Sequence, residues 1–168
     1  ILWIAIPLFI LAGAIMNTSG ISRRLIAFAS AILGFIKGGL AMVNIGASMF
    51  FAEISGSAVA DVAALGSILI PAMKKRGYDE KFALGLTGAS SLIGPIMPPS
   101  IPAIVYAVSA GVSVGALFFA GVLPALVLTF ILCVFVWRNA RENPVHDEGS
   151  DEGIPVSRAI TMALPVLF

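Results

Sequence analysis

Ser55, Gly56, Ser57 and Asp61 sit together in FFAEISGSAVADVAALG (residues 50–66), a stretch otherwise made almost entirely of apolar side chains. A second group, Ser90, Ser91 and Ser100, flanks Gly94, Pro95, Pro98, Pro99 and Pro102 in SSLIGPIMPPSIP (residues 90–102). Both groups interrupt helical sequence. Where a helix breaks, one half ends in free carbonyls that can replace water around a cation. The other begins with free amide protons, carrying about half a positive charge, that suit an anion such as a carboxylate. The chemistry available is therefore joint binding of a cation and a carboxylate. Asp61, four residues after Ser57 and on the same helix face, is a direct ion ligand, a group that orients the tip, or a proton carrier. The orienting role is slightly favoured. Glu53 lies near the end of the first half-helix, where the dipole disfavours negative charge.

Two blander chemistries compete. Small residues such as those of SGSA more often allow close helix packing than bind anything, and a purely structural membrane subunit would need no more. The coincidence of two polar breaks favours a site. An intramembrane serine hydrolase using Ser55 or Ser57 would need a base in reach. The lone histidine, His146, stands in an acidic loop, and no lysine lies mid-membrane. Thr87 and Thr129 fit back-bonding to the preceding helical turn.

The elements that must position these groups are membrane helices. Of 168 residues, 59% are hydrophobic and 11% charged, and the mean hydropathy is +1.04, far from the composition of soluble domains, about 25% charged. Residues 82–137 contain no Asp, Glu, Lys, Arg or His, where one spanning helix needs only about 20 residues. At least two passes lie there. A net charge of +1 gives no basis for a nucleic-acid partner. The single cysteine, Cys133, rules out a disulfide framework or thiolate cluster. The chain opens on ILWIAIPLFILAGAIM and stops at TMALPVLF inside another apolar segment, so it reads as a fragment of a longer polytopic protein.

Residues 1–20 form the end of a transmembrane helix and a polar turn, and 21–37 a short interfacial helix with Arg23, Arg24 and Lys37 near its ends. Residues 38–73 are two apolar arms, each marginal for a core about 30 Å thick, joined by a tip near 54–57. Lys74 to Lys81 and Arg138 to Asn143 are the densest basic loops. Two passes separate them, so both can be cytoplasmic. If the charges around 23–37 are cytoplasmic too, 38–73 must be a re-entrant hairpin rather than a kinked span. Residues 82–110 form a discontinuous helix broken near 94–100, since proline lacks an amide proton and clashes with the preceding turn. A transmembrane helix follows at 115–138, then a cytoplasmic acidic loop at 139–158 and the start of another membrane segment at 159–168. The fold class is an all-α polytopic membrane protein with a re-entrant hairpin and a discontinuous helix. Paired broken helices are the usual sequence pointer to the site of a secondary transporter.

The combination of SGSAVAD, KKRGYD and IGPIMPPSIP at these spacings closely resembles the large membrane subunit of the tripartite ATP-independent periplasmic, or TRAP, transporters. The resemblance runs over nearly the whole chain. It implies a Na⁺-coupled permease importing organic acid anions, such as C4-dicarboxylates or sialic acid, across a bacterial inner membrane. It implies a small membrane subunit and a periplasmic substrate-binding protein as partners, no enzymatic activity, and no cofactor beyond Na⁺ as coupling ion. It makes 1–20 a scaffold helix and 21–37 an arm helix, in half of an inverted-repeat, elevator-type fold. Ion and substrate binding carries over to Ser55, Gly56, Ser57, Asp61, Ser91, Gly94, Pro98, Pro99 and Ser100, with Na⁺ near Ser55, Gly56, Ser57 and Gly94.

Overall fold

In the computed structural model of the chain, residues 21–34, 36 and 38–142 are described, together with the isolated positions Leu8, Leu11 and Ile15. The rest of the expected segment 1–20, Lys37, the loop beyond Glu142 with His146, and 159–168 lie outside the described residues. All regular structure among the described residues is helical: α1 (Ile21–Leu33), α2 (Gly39–Ser55), α3 (Ala58–Lys75), α4 (Glu80–Ser91), α5 (Ile93–Ile96), α6 (Ile101–Ala110) and α7 (Val114–Glu142).

The centre of the bundle is α2. Residues 39–48 of this helix are all buried, as are Phe51, Ala52 and Ser55. A helix apolar around its whole circumference needs neighbours on every side, and α1, α3, α4, α5 and α7 supply them. Small residues set the approach distances. A Cβ on Gly46 would stand 2.3 Å from Leu33 Cδ1, and Phe28 of α1 meets Phe50 of α2 edge-on at 5.4 Å.

α2 and α3 form a helical hairpin. Gly56 adopts the left-handed conformation (φ 56°, ψ 19°) and its N–H donates to the Ala52 carbonyl, the usual way for a glycine to end a helix. Ser57 is extended and its hydroxyl accepts from the Ala60 N–H, starting α3. At the far end Tyr78 is buried, and its hydroxyl donates to the Gly38 carbonyl at 3.1 Å. The entrance and exit of the hairpin therefore meet. Tyr78 stacks with Phe82, and Phe82 with Phe135 of α7. This end gathers Lys74 and Lys75, a Lys74–Glu80 ion pair of 2.9 Å, and Arg141 lying 4.0 Å over the Trp137 ring. Cations in the last turn of α3 oppose the negative end of its dipole.

The proline-rich segment yields two joints rather than one. α4 ends at Ser91 with Leu92 as its cap, the four-residue α5 follows, and residues 97–100 are irregular before α6. Pro95 and Pro102 fall in the first turns of α5 and α6, where an N–H would have no partner within the helix. Pro98 and Pro99 occupy the irregular link, and the peptide bond between them is cis. The segments Glu80–Ile96 and Ile101–Ala110 together meet the length and hydropathy of one span and bend by 42°.

α7 contains a 28-residue span, Val114–Arg141, that is long and apolar enough to cross a membrane alone. The helix reaches Glu142, past the expected end at 138, because Asn139, Ala140 and Arg141 continue the ladder and Arg141 folds back onto Trp137. Gly121 lets α7 approach α5: a Cβ there would lie 2.5 Å from the Ile96 carbonyl oxygen. Backbone cannot swing aside, so Gly121→Ala is expected to destabilise the purified protein by about 1–3 kcal/mol. Gly88→Ala, with open space around it, is expected to be neutral or to add up to about 1 kcal/mol. Thermal unfolding of the two variants side by side checks both.

Candidate functional site at the hairpin tip

The two breaks meet. A Cβ on Gly56 would lie 2.7 Å from the Pro99 carbonyl oxygen, 3.2 Å from the Ile101 nitrogen and 3.3 Å from Ser100 Cα. The tip of the hairpin thus rests directly on the irregular link. A Cβ on Gly94 would lie 2.8 Å from Asp61 Oδ2 and 3.6 Å from the Ser57 carbonyl carbon. The absence of a side chain at both glycines lets backbone approach backbone, which irregular segments at membrane depth require if they are to be covered by protein.

Within the tip the polar groups are ordered by one another. Ser55 is buried; its hydroxyl donates to Asp61 Oδ1 and accepts from the Ser57 N–H at 3.3 Å. The Asp61 N–H donates to the Ser57 carbonyl at 3.1 Å, inside the first turn of α3. Asp61 is 1% exposed, and its second oxygen, Oδ2, is buried with no hydrogen-bond partner. A carboxylate oxygen left without a donor in an apolar setting is strongly disfavoured unless a cation or proton reaches it. On the other side of the junction, the Ser100 hydroxyl donates to the Pro95 carbonyl at 2.5 Å and accepts from the Ala103 N–H at 3.2 Å. Ser100 thereby bridges α5 to the start of α6.

Of the residues singled out in the sequence, Ser55, Gly56, Ser57 and Asp61 therefore share one junction with Gly94, Pro99 and Ser100. Pro98 lies next in the chain to that junction and is half-buried. Ser91 stands a turn earlier on α4, and its hydroxyl is committed to the Gly88 carbonyl at 2.7 Å. Glu53 is exposed, on the outside of α2. Thr129 bonds back to the Ala125 carbonyl at 2.8 Å. Among the described residues, neither Ser55 nor Ser57 has a histidine or lysine as a hydrogen-bond partner.

Asn44 and Ser48, which the sequence did not single out, form a polar layer with Thr87 and Ser90. Asn44 and Ser48 on α2 face Thr87 and Ser90 on α4, with Asn44 Nδ2 donating to Thr87 Oγ1 at 2.8 Å and the two serine hydroxyls 2.9 Å apart. The signal was present: Asn44 is a polar residue inside an apolar arm, one helical turn before Ser48, and a Thr-x-x-Ser pair stands on α4, the second helix after it.

Residues 2–168 match the family described as the tripartite ATP-independent periplasmic transporter, DctM component. The chain belongs to this TRAP transporter family. It is 45% identical over 139 residues to the sialic acid TRAP transporter permease protein SiaT of Haemophilus influenzae, covering 83% of this chain and 23% of that protein. It is 49% identical over 138 residues to the C4-dicarboxylate TRAP transporter large permease protein DctM of Pseudomonas aeruginosa, covering 82% and 32%. It is also 43% identical over 150 residues to the isethionate TRAP transporter permease protein DctMQ of Oleidesulfovibrio alaskensis, covering 89% and 24%. The chain thus spans between about a quarter and a third of these TRAP permeases. Membership places it among membrane transport proteins rather than enzymes.

Proposed function

We propose that this chain supplies one half of the ion and substrate site of a Na⁺-coupled TRAP permease that imports an organic acid anion. In this reading α2 and α3 form a re-entrant hairpin, and α4 to α6 form a discontinuous helix. Their junction binds Na⁺ through hydroxyl and backbone oxygens at Ser55, Gly56, Ser57 and Gly94. The amide ends of α3 and α6 face the carboxylate of the substrate, with Ser91, Pro98, Pro99 and Ser100 forming the opposing wall. Asp61 holds Ser55 in place and adds negative charge behind the cation.

The carrying observation is the contact of the two breaks, with the unpartnered Asp61 oxygen against Gly94. A packing role alone explains the glycines but leaves that oxygen without a purpose. The names of the relatives, permeases for sialic acid, C4-dicarboxylate and isethionate, support an acidic substrate. The permease is multi-pass in a bacterial inner membrane. It works with a small membrane subunit and with a periplasmic binding protein that delivers the anion, and moves its site by an elevator motion. The meeting of Tyr78 with Gly38, and of Phe82 with Phe135, at one end of the bundle supports a cytoplasmic position for both basic loops.

The test is thermal stability of the purified complete permease in sodium against potassium chloride at equal ionic strength. A ligand that binds only the native state stabilises it by RT ln(1 + [L]/Kd), so sodium at 100 times its Kd is expected to add about 2.7 kcal/mol. Ser57→Ala should reduce that sodium-specific gain. Identical curves in the two salts would leave the junction as packing only.

A further inference from the structure

Residues 39–48 of α2 are buried all round, yet this stretch carries two polar side chains on the stripe that faces α4. Asn44 is wholly buried; its Nδ2 donates to Thr87 Oγ1 at 2.8 Å and to Met73 Sδ of α3 at 3.6 Å. The Thr87 hydroxyl proton is already committed to the Ala83 carbonyl at 2.8 Å. Thr87 can therefore only accept from Asn44, which fixes the amide with its nitrogen toward α4. Nearer the tip, Ser48 and Ser90 form a second rung at 2.9 Å, and Ser90 also donates to the Thr87 carbonyl at 3.2 Å.

Asn44 Oδ1 is left buried with no hydrogen-bond partner. A leucine at this position would leave no such acceptor, so asparagine is a poor choice for stability alone. What it supplies is direction. Apolar and small-residue helix faces pack tolerably at registers one turn apart, about 5.4 Å, whereas a single buried asparagine penalises every register but one. A slip of one turn between α2 and α4 would carry Gly56 off Pro99 and Asp61 off Gly94, separating the two halves of the junction.

We infer that Asn44, acting through Thr87, is a positioning residue that fixes the axial register of the hairpin on the broken helix and thereby the Na⁺ affinity of the tip. The inference rests on the sodium-site reading above. It leaves Asn44 outside the site, about three helical turns or roughly 18 Å along α2 from Gly56, and assigns it an effect on affinity rather than on maximal rate.

The test uses the complete permease in detergent and in proteoliposomes, with Cys133→Ala as background and Ser48→Cys/Ser90→Cys as a register probe. Asn44→Leu is expected to melt in potassium chloride no lower than the parent. It should cut the yield of the 48–90 disulfide under mild oxidation at least fivefold. It should also raise the sodium concentration for half-maximal uptake tenfold or more, with the rate at saturating sodium changed less than twofold. Thr87→Val, which removes one hydroxyl and keeps the shape, should do the same if Asn44→Leu fails to fold, and Thr87→Ser should restore the parent values. Unchanged cross-linking in both Asn44→Leu and Thr87→Val would overturn the inference, as would lost cross-linking with unchanged sodium dependence. A parent protein indifferent to sodium would overturn the sodium reading instead, and the disulfide yield would then decide the register claim by itself.

Discussion

Gly56→Ala is expected to abolish sodium-stimulated uptake by the complete permease, lowering the initial rate about a hundredfold, and to cost about 2–5 kcal/mol of stability. Two independent effects add. The backbone of Gly56 is left-handed, at φ 56°, where an L side chain costs roughly 1–2 kcal/mol. The new Cβ would also lie 2.7 Å from the Pro99 oxygen and 3.2 Å from the Ile101 nitrogen, and overpacking of this kind costs about 1–3 kcal/mol. Because both neighbours are backbone, relief comes only by separating the tip from the link by several tenths of an ångström. That movement opens the junction at which the ion is held, and displacements on the order of 1 Å are enough to cost about a hundredfold where reacting or binding groups must converge. Gly111 provides the control. It is also left-handed, at φ 67°, but a Cβ there meets nothing within 4 Å. Gly111→Ala should therefore lose about 1–2 kcal/mol from strain alone and keep its uptake. Radiolabelled substrate uptake into proteoliposomes, with melting curves on the same preparations, separates the cases. Parent-like uptake by Gly56→Ala would sink the assignment of the tip.

The breaks in this chain were legible because each depends on residues whose local physics is hard to override. Pro95, Pro98, Pro99 and Pro102 in one short stretch make a continuous helix untenable, and the polar SGS around Gly56, between two arms each short for a span and flanked by charges on one side, marks the other break. The all-helical class followed from hydropathy in the same direct way. The meeting of the two breaks did not follow from local rules, because it depends on a glycine on each side accepting the other's backbone. A glycine in sequence reads equally as flexibility, close packing or a cap. Asn44 shows a different limit. It stands alone in an apolar arm, but its partner is 43 positions away, and only the packing of α2 on α4 pairs it with Thr87. The extension of α7 to Glu142 was hidden by polar residues at its end, which composition alone assigns to a loop.

Asp61→Asn is expected to reverse sign with the salt: in potassium chloride the variant should be at least as stable as the parent, and in sodium chloride less stable. The substitution keeps shape and volume, so the buried contacts around Asp61 survive, and its amide oxygen can still accept from Ser55. It removes the charge. In the absence of a cation, that charge is a cost to the folded protein, on the order of 2.5 kcal/mol or more for an acid in an apolar membrane setting. When a cation sits at the junction, the same charge attracts it, and Asn forfeits the attraction. At least about half of the sodium-specific gain of about 2.7 kcal/mol at 100 times Kd should therefore vanish, and half-maximal uptake should need at least tenfold more sodium, about 1.4 kcal/mol. The hydrogen bond from Ser55 to Asp61 makes the mechanism separable. If Asp61 works by aiming Ser55, then Ser55→Ala and Asp61→Asn will each remove the same sodium gain, and the double variant will lose little more than either one, as residues of one network do. If Asp61 meets the ion itself through its free Oδ2, Ser55→Ala will keep part of the sodium gain and the two losses will add. Melting curves of the four proteins in both salts complete the cycle, and a full sodium gain in Asp61→Asn would remove the carboxylate from the ion's surroundings altogether.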